Sequence, residues 1–341
     1  MSGNKDISIE NDVIVSSRVR LARNFREYPF PNKMNGKQAV EIIKRVSDII
    51  FSSQDEELKN MLFVDMESLG DVDKQMLVEK HLISPDLARS TKKCAVIISK
   101  NENISIMINE EDHLRIQVIF NGMQIDRAWR LCNKIDDILD KNIEFAYNNL
   151  YGYLTCCPTN LGTGIRASVM LHLPALVMTG YIRNILEASG KLNIAVRGLY
   201  GEHSEATGNM FQMSNQISLG QTEEEIITSL KEIAAQVVDQ EKNLRQELYK
   251  QNRIKFEDKI YRSYGVLANA RSISTEESLK LISDVRMGID LGIIQDISIG
   301  TLNEIMLMIQ PACLQKLLGK QLDAEERDVK RAELIRAKLR G

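Results

Sequence analysis

The chain has 341 residues, 43% of them apolar and 27% charged, with a formal net charge of −3. This composition fits a globular protein with ample material for one large domain and a smaller one, and it argues against a general nucleic-acid binder. No apolar run approaches the length that spans a bilayer. The polar start lacks a signal core, and the five cysteines (Cys94, Cys132, Cys156, Cys157, Cys313) form no C-x-x-C, so reduced thiols in a cytoplasmic setting are expected.

In chain order, Lys37 to Phe51 repeats apolar residues at helical spacing. Cys94 to Ser99, Ile104 to Ile108 and Arg115 to Phe120 are short β-branched runs, predicted as neighbouring strands joined by hairpins. Gly122 to Asn148 predicts one long helix with Ile125, Trp129, Cys132, Ile135 and Leu139 on one face. Tyr151 to Gly164 reads as a loop, and Tyr181 to Ser189 as a helix closed by Gly190. Ile194 to Val196 and Met210 to Ser218 predict strands. Thr222 to Asn252 predicts a strong helix, opened by a capping box of Thr222 and Glu225. Beyond about residue 253 strand signals vanish. The expected fold is therefore α+β: a largely antiparallel sheet flanked by helices over 1–252, then a small all-α domain over 253–341.

Four segments carry candidate chemistry. In Ser16-Ser17-Arg18-Val19-Arg20-Leu21-Ala22-Arg23, extension would put Arg18 and Arg20 on one side; a solvated edge strand is the plainer reading. In Asn109 to Arg115, a strand would align Glu111, His113 and Arg115, for salt bridging, a metal or a ligand. Cys157 to Ser168 contains G-x-G-x-x-A with Glu187 farther on. This mimics a dinucleotide fingerprint without its βαβ context; it also offers backbone amides and Arg166 to a phosphate. Arg197 to Glu205 is a charged, glycine-flanked loop, either a plain hairpin or a site.

Together, in this order, the segments resemble the phosphagen (guanidino) kinases, through S-x-R-V-R, N-E-E-D-H-x-R, C-P-T-N-L-G-T-G-x-R-A-S-V and R-G-x-x-G-E-H-x-E. Within that superfamily the chain is similar to the McsB-type protein-arginine kinases. It lacks the large helical domain that precedes the first motif in small-guanidine members, and Arg327-Asp328-Val329-Lys330-Arg331-Ala332 resembles a phosphoarginine-binding motif.

The resemblance implies a kinase that phosphorylates arginine side chains of proteins with ATP and Mg2+. Glu111 and Glu202 would grip the substrate guanidinium, with Cys157 beside it. Arg18, Arg20, Arg115, Arg166 and Arg197 would surround the phosphates. Ser16, Ser17, Val19, His81, Ala167, Ser168, Val169, Met170, Gly198, Leu199, Tyr200 and Gly201 would complete the nucleotide site. Arg327, Asp328 and Arg331 would bind phosphoarginine, with Asp323 and Glu326 capping their helix. No resident metal is expected. Met107 with Ile108, Leu199 with Tyr200, and Met170 depart from the small-guanidine pattern, which suits arginine displayed on a protein. Implied partners are arginine-bearing protein substrates, a McsA-type activator, a CtsR-type repressor, a ClpC-type unfoldase and further copies of the chain, with no membrane and no direct nucleic-acid contact. A phosphoarginine-binding adaptor, a free-arginine kinase and a metal-dependent hydrolase are the alternatives.

Overall fold

The computed structural model describes residues 13–198 and 207–340. Among these, the strands are β1 (Ile14–Arg23), β2 (Leu62–Asp65), β3 (Ala95–Ile98), β4 (Ile104–Ile108), β5 (Leu114–Asn121), β6 (Tyr147–Asn148), β7 (Gly152–Tyr153), β8 (Ile165–His172), β9 (Ile194–Gly198) and β10 (Met210–Asn215). The helices are α1 (Gly36–Ser52), α2 (Asp71–Glu79), α3 (Pro85–Arg89), α4 (Ile125–Asp140), α5 (Pro174–Met178), α6 (Ile182–Lys191), α7 (Glu223–Gln251), α8 (Arg253–Asn269), α9 (Thr275–Asp290), α10 (Ile299–Met308), α11 (Pro311–Leu318) and α12 (Ala324–Arg340).

Eight strands form one antiparallel sheet in the order β2-β3-β4-β5-β1-β8-β10-β9. β1 lies at its centre, paired on both sides, so the edge strand that its arginines suggested is corrected: those arginines rise from the middle of a sheet. The pleat explains how the sequence tolerates this. Val19, Leu21, Ile116, Val118, Ala167, Val169 and Met213 alternate with the polar residues and bury their side chains on the opposite face, against α1, α4 and α7. Each such fully buried aliphatic side chain contributes about 1.5–3 kcal/mol, enough to hold a charged face in place.

A second apolar core, from Phe256 to Ile335, is built from the helices after α7. It meets the sheet at two seams. At one, both Glu79 carboxylate oxygens accept from the Ala312 amide (2.9 and 3.0 Å) and one accepts from Cys313 (2.8 Å), capping α11, with Lys316 paired to Asp73 alongside. At the other, Ser283 of α9 bonds His172 (2.8 Å) and Asn209 (2.8 Å), and Arg245 links Glu241, Asp290 and the His172 carbonyl.

The capping box of α7 forms as expected. The Gly122–Asn148 helix is shorter, because residues 144–146 leave α4 to bond the chain after β1 (Arg26 to Glu144, Ala146 to Asn24). Gly190 lies inside α6; the left-handed residue that ends the turn is Asn193 (φ 58°). The last strand stops at Asn215 rather than Ser218.

Candidate active site

The antiparallel register places the arginines. Arg20 stands opposite Arg166 on β8 and Gln117 on β5, Ala22 opposite Arg115, Arg18 opposite Ser168, and Arg197 opposite Gln212. Arg18, Arg20, Arg115, Arg166 and Arg197 thus belong to one sheet face, spread over four strands. A cavity of about 450 Å³ on this face is lined by Arg20, Arg115, Arg166, Arg197, Glu111 and Cys157, among others.

Three of the five arginines have a described partner within the site. Arg18 donates to Gln212 (2.9 Å). Arg115 donates to one oxygen of Glu110 (2.9 Å), pairs ionically with the other at 2.9 Å, and also reaches Glu111 (3.2 Å). Arg166 donates to the Asn215 carbonyl (3.0 Å), Thr159 (3.0 Å) and Asn160 (3.3 Å). Arg197 lines the cavity beside Gly198. Arg20 has no hydrogen bond or ion pair with any described residue, and its Nε is buried without a partner. Burial, then Arg115, pushes the Arg18 pKa down to about 10; burial, then Arg18, Arg115 and Arg166, pushes Arg20 well down, with Glu110 opposing. So much positive charge gathered in one place is a site for a polyanion.

Glu111 stands at the rim, 41% exposed at its side chain, and burial raises its carboxyl pKa against the pull of Arg115. Cys157 follows in the loop that enters β8, its Sγ 3.0 Å from the Thr159 hydroxyl. That loop is held from below. One oxygen of the buried Asp112 accepts from the Cys156 amide (2.7 Å) and from Asn24 (2.6 Å), and Arg23 bonds Asp136 and the Thr163 carbonyl while stacking on Tyr153. Gly162 (φ 109°) and Gly164 (φ 69°) pass so close to the Ser218 and Ala22 carbonyls that a Cβ would sit 2.5 and 2.6 Å from them. A strand, not a helix, follows these glycines, so the dinucleotide fingerprint is excluded.

Other expectations need correction. Asn109 to His113 is a turn, with Asn109 left-handed (φ 62°), so Glu111, His113 and Arg115 do not share a strand face. His113 is fully buried; its Nδ1 accepts from Phe25 and its Nε2 meets the Pro29 carbonyl, which leaves no nitrogen for a metal. No cluster of three or more metal-ligating side chains occurs among the described residues.

Ser17 turns away to bond the Gly122 carbonyl, and Val19, Ala167 and Val169 are core residues, so none of the four presents a side chain to the cavity. Ser16, Ser168, Met170 and His81 line a small adjoining pocket with Arg18. His81 is exposed yet set into a concave cleft; that enclosure, then Arg18, pushes its pKa down to about 4. Leu199, Tyr200, Gly201 and Glu202 lie outside the described residues.

At the C-terminal motif the Asp323–Glu326 capping box is present. Arg327 donates to the Leu322 carbonyl (2.9 Å). Arg331 is 1% exposed and bonds the Ile309 and Ile273 carbonyls (2.9 Å each) and Asp328.

Sequence reasoning missed Glu110, Gln212, Thr159 and Asn160. Glu110 sits inside a motif already singled out, and Gln212 alternates with Ser214 as a polar residue between Phe211 and Met213 in β10, so both had a signal.

A family model for the ATP:guanido phosphotransferase C-terminal catalytic domain matches residues 41–244, and one for the protein-arginine kinase McsB C-terminal domain matches residues 253–341. The protein-arginine kinase of Halothermothrix orenii is 48% identical over 97% of this chain and 94% of its own. That of Bacillus subtilis is 47% identical over 97% and 91%. Among solved structures, a lombricine kinase superposes with TM-score 0.61 at 24% identity, covering 70% of this chain and 69% of its own. The duplicated taurocyamine kinase of Schistosoma mansoni gives TM-score 0.63 at 24% identity, covering 81% of this chain and 40% of its own. These two likenesses show the fold alone. The family matches and the close relatives carry the rest: the chain belongs to the ATP:guanido phosphotransferase family, with the C-terminal domain of the McsB protein-arginine kinases following its catalytic region.

Proposed function

We propose that this protein is an ATP-dependent kinase that phosphorylates arginine side chains of proteins. The observation that carries the reading is the set of five arginines on one sheet face with a carboxylate at its rim. The arginines neutralise the triphosphate and the charge that spreads over the transferred group. Mg2+ bound to the nucleotide would supply further neutralisation.

The substrate guanidinium has a pKa above about 12 and is a poor nucleophile until it is aimed and deprotonated. Glu111 is placed to bind it and aim one nitrogen at the γ-phosphorus. As the N–P bond forms and the P–O bond to ADP breaks, the nitrogen's proton passes to a carboxylate. The raised pKa of Glu111 suits that acceptor, and Glu202 is the second candidate. Cys157 lines the same cavity.

The same proposal includes phosphoarginine recognition through Arg327 and Asp328, supported by the resemblance of that helix to the family's motif. It also includes marking of substrates for regulation or degradation in the cytoplasm, partners of the activator, repressor and unfoldase types, and self-association. Among the described residues no helix is long and apolar enough to cross a membrane.

The test is incubation with Mg·ATP and an unstructured arginine-rich protein, with phosphosites mapped under non-acidic conditions and Glu111→Gln and Glu202→Gln as controls. Phosphoarginine that disappears in the variants is the expected result. Turnover of free arginine alone would make the protein a small-guanidine kinase instead.

A further inference from the structure

The cavity that holds Glu111 and Cys157 has a larger neighbour. A cleft of about 970 Å³ shares Arg20 and Arg115 with it but contains neither Glu111 nor Cys157. Its floor is the same sheet face, and its facing wall comes from the C-terminal helices: Leu279 of α9, Asn303, Met306 and Leu307 of α10, and Gln310 before α11. The direction of an ATP molecule follows, given the kinase reading above. The γ-phosphate must face Glu111 in the smaller cavity, with the triphosphate on the shared Arg20 and Arg115, so the nucleoside points into the larger cleft.

The wall has the chemistry for a purine. Met306, Leu307 and Leu279 are apolar and flat-packing, unlike the cationic floor. The Asn303 carbonyl oxygen is taken by Arg286 (2.7 Å), which leaves its amide nitrogen as the open end. The Gln310 amide nitrogen is taken by the Met306 carbonyl (3.0 Å), which leaves its oxygen. A donor and an acceptor stand over an apolar shelf, the complement of a base edge. The wall is fixed to the floor by the Glu79 cap on α11 and by α9, whose Leu279 carbonyl lies against Gly208.

We propose that the C-terminal helices form the purine side of the ATP site, with Leu279, Met306 and Leu307 packing on the base and Asn303 and Gln310 bonding its edge.

The experiment uses the full chain, wild type and the double variant Leu307→Ala, Gln310→Ala, with Arg20→Ala as comparator. Leu307 is 36% exposed, and the Gln310 side chain donates to the Met306 carbonyl at the end of α10, so the melting temperature of the double variant is measured alongside to show that it folds. The KM for ATP and the inhibition constant of Mg·tripolyphosphate, which carries the phosphates without a base, are measured in parallel. The double variant is expected to raise the KM for ATP about tenfold while tripolyphosphate inhibition stays within about twofold. Arg20→Ala weakens both. An unchanged KM would overturn the proposal, and so would an equal loss for ATP and tripolyphosphate, which would mean that only the arginine floor had been disturbed. A folded wild-type chain that uses no ATP would sink the kinase reading itself, a distinct outcome.

Discussion

Arg20 on β1 and Arg166 on β8 are direct partners in the antiparallel register, so two guanidinium side chains occupy one cross-strand site. Like charges placed so are unfavourable by about 0.2–1 kcal/mol. Arg20→Ala should therefore leave the melting temperature unchanged or raise it, while kcat/KM for phosphoryl transfer falls at least about a hundredfold. Calorimetry and a phosphoarginine assay on one preparation check both halves. A large loss of stability would show that Arg20 supports the fold instead.

The pH dependence follows from Glu111. A base works as the carboxylate, and burial raises this carboxyl above its ordinary 4.5. The acid limb of kcat/KM should lie above pH 4.5, and Glu111→Gln should lower the rate across the whole range rather than shift the limb. An acid limb at or below 4.5 in the wild type would remove Glu111 from the role.

Asp112 makes a sharper structural prediction. One of its oxygens holds both Asn24 and the Cys156 amide. Asp112→Ala leaves the buried Asn24 amide and the part-buried Cys156 N–H each one hydrogen bond short, at about 1–3 kcal/mol in all. Stability should fall by that order, and alkylation of Cys157 by iodoacetamide should change in rate as its loop loosens. Denaturant titration and mass spectrometry read the two effects.

Arg327 and Arg331 should separate cleanly. Arg331 is buried on two carbonyls and Asp328, so Arg331→Ala should destabilise the C-terminal helices by about 3–5 kcal/mol. Arg327→Ala should cost little stability, so it is the cleaner probe of phosphoarginine binding. Urea unfolding of each variant, followed by titration with a phosphoarginine peptide, tests this.

Two histidines tie stability to pH. Burial lowers His113 and His172 below the ordinary 6.5; His172 faces Ser283, Arg245 and Arg286, and His113 faces the Phe25 amide, the Pro29 carbonyl and Asp112. Below 6.5 the unfolded chain takes up protons that the folded chain refuses. Stability should therefore fall with falling pH by up to about 1.4 kcal/mol per pH unit for each histidine. Urea midpoints at pH 7.5 and 5.5 measure the slope, and a flat profile would refute it.

Much of this was legible in the sequence, for physical reasons. The β-branched runs of β3, β4 and β5 and the capping boxes of α7 and α12 are local signals, and they hold. What no local pattern reports is which strand is central. The arginines of β1 look like an edge because charge in a central strand is rare, yet Val19 and Leu21 between them are the residues that anchor a central strand. The turn at Asn109–His113 was hidden by the same limit, since its geometry depends on a left-handed Asn109 and on Asp112 reaching residues far away in sequence. Arg331 reads as a surface residue because the carbonyls that bury it belong to other helices.

The seam at Glu79 has a consequence for comparisons among homologues. Its carboxylate grips the peptide nitrogens of Ala312 and Cys313, groups that every residue but proline carries. Substitution at 312 or 313 therefore leaves the grip intact, and correlated variation between 79 and these positions has no reason to arise. Methods that infer proximity from paired sequence changes would be blind to this one of the two seams that join the halves of the chain.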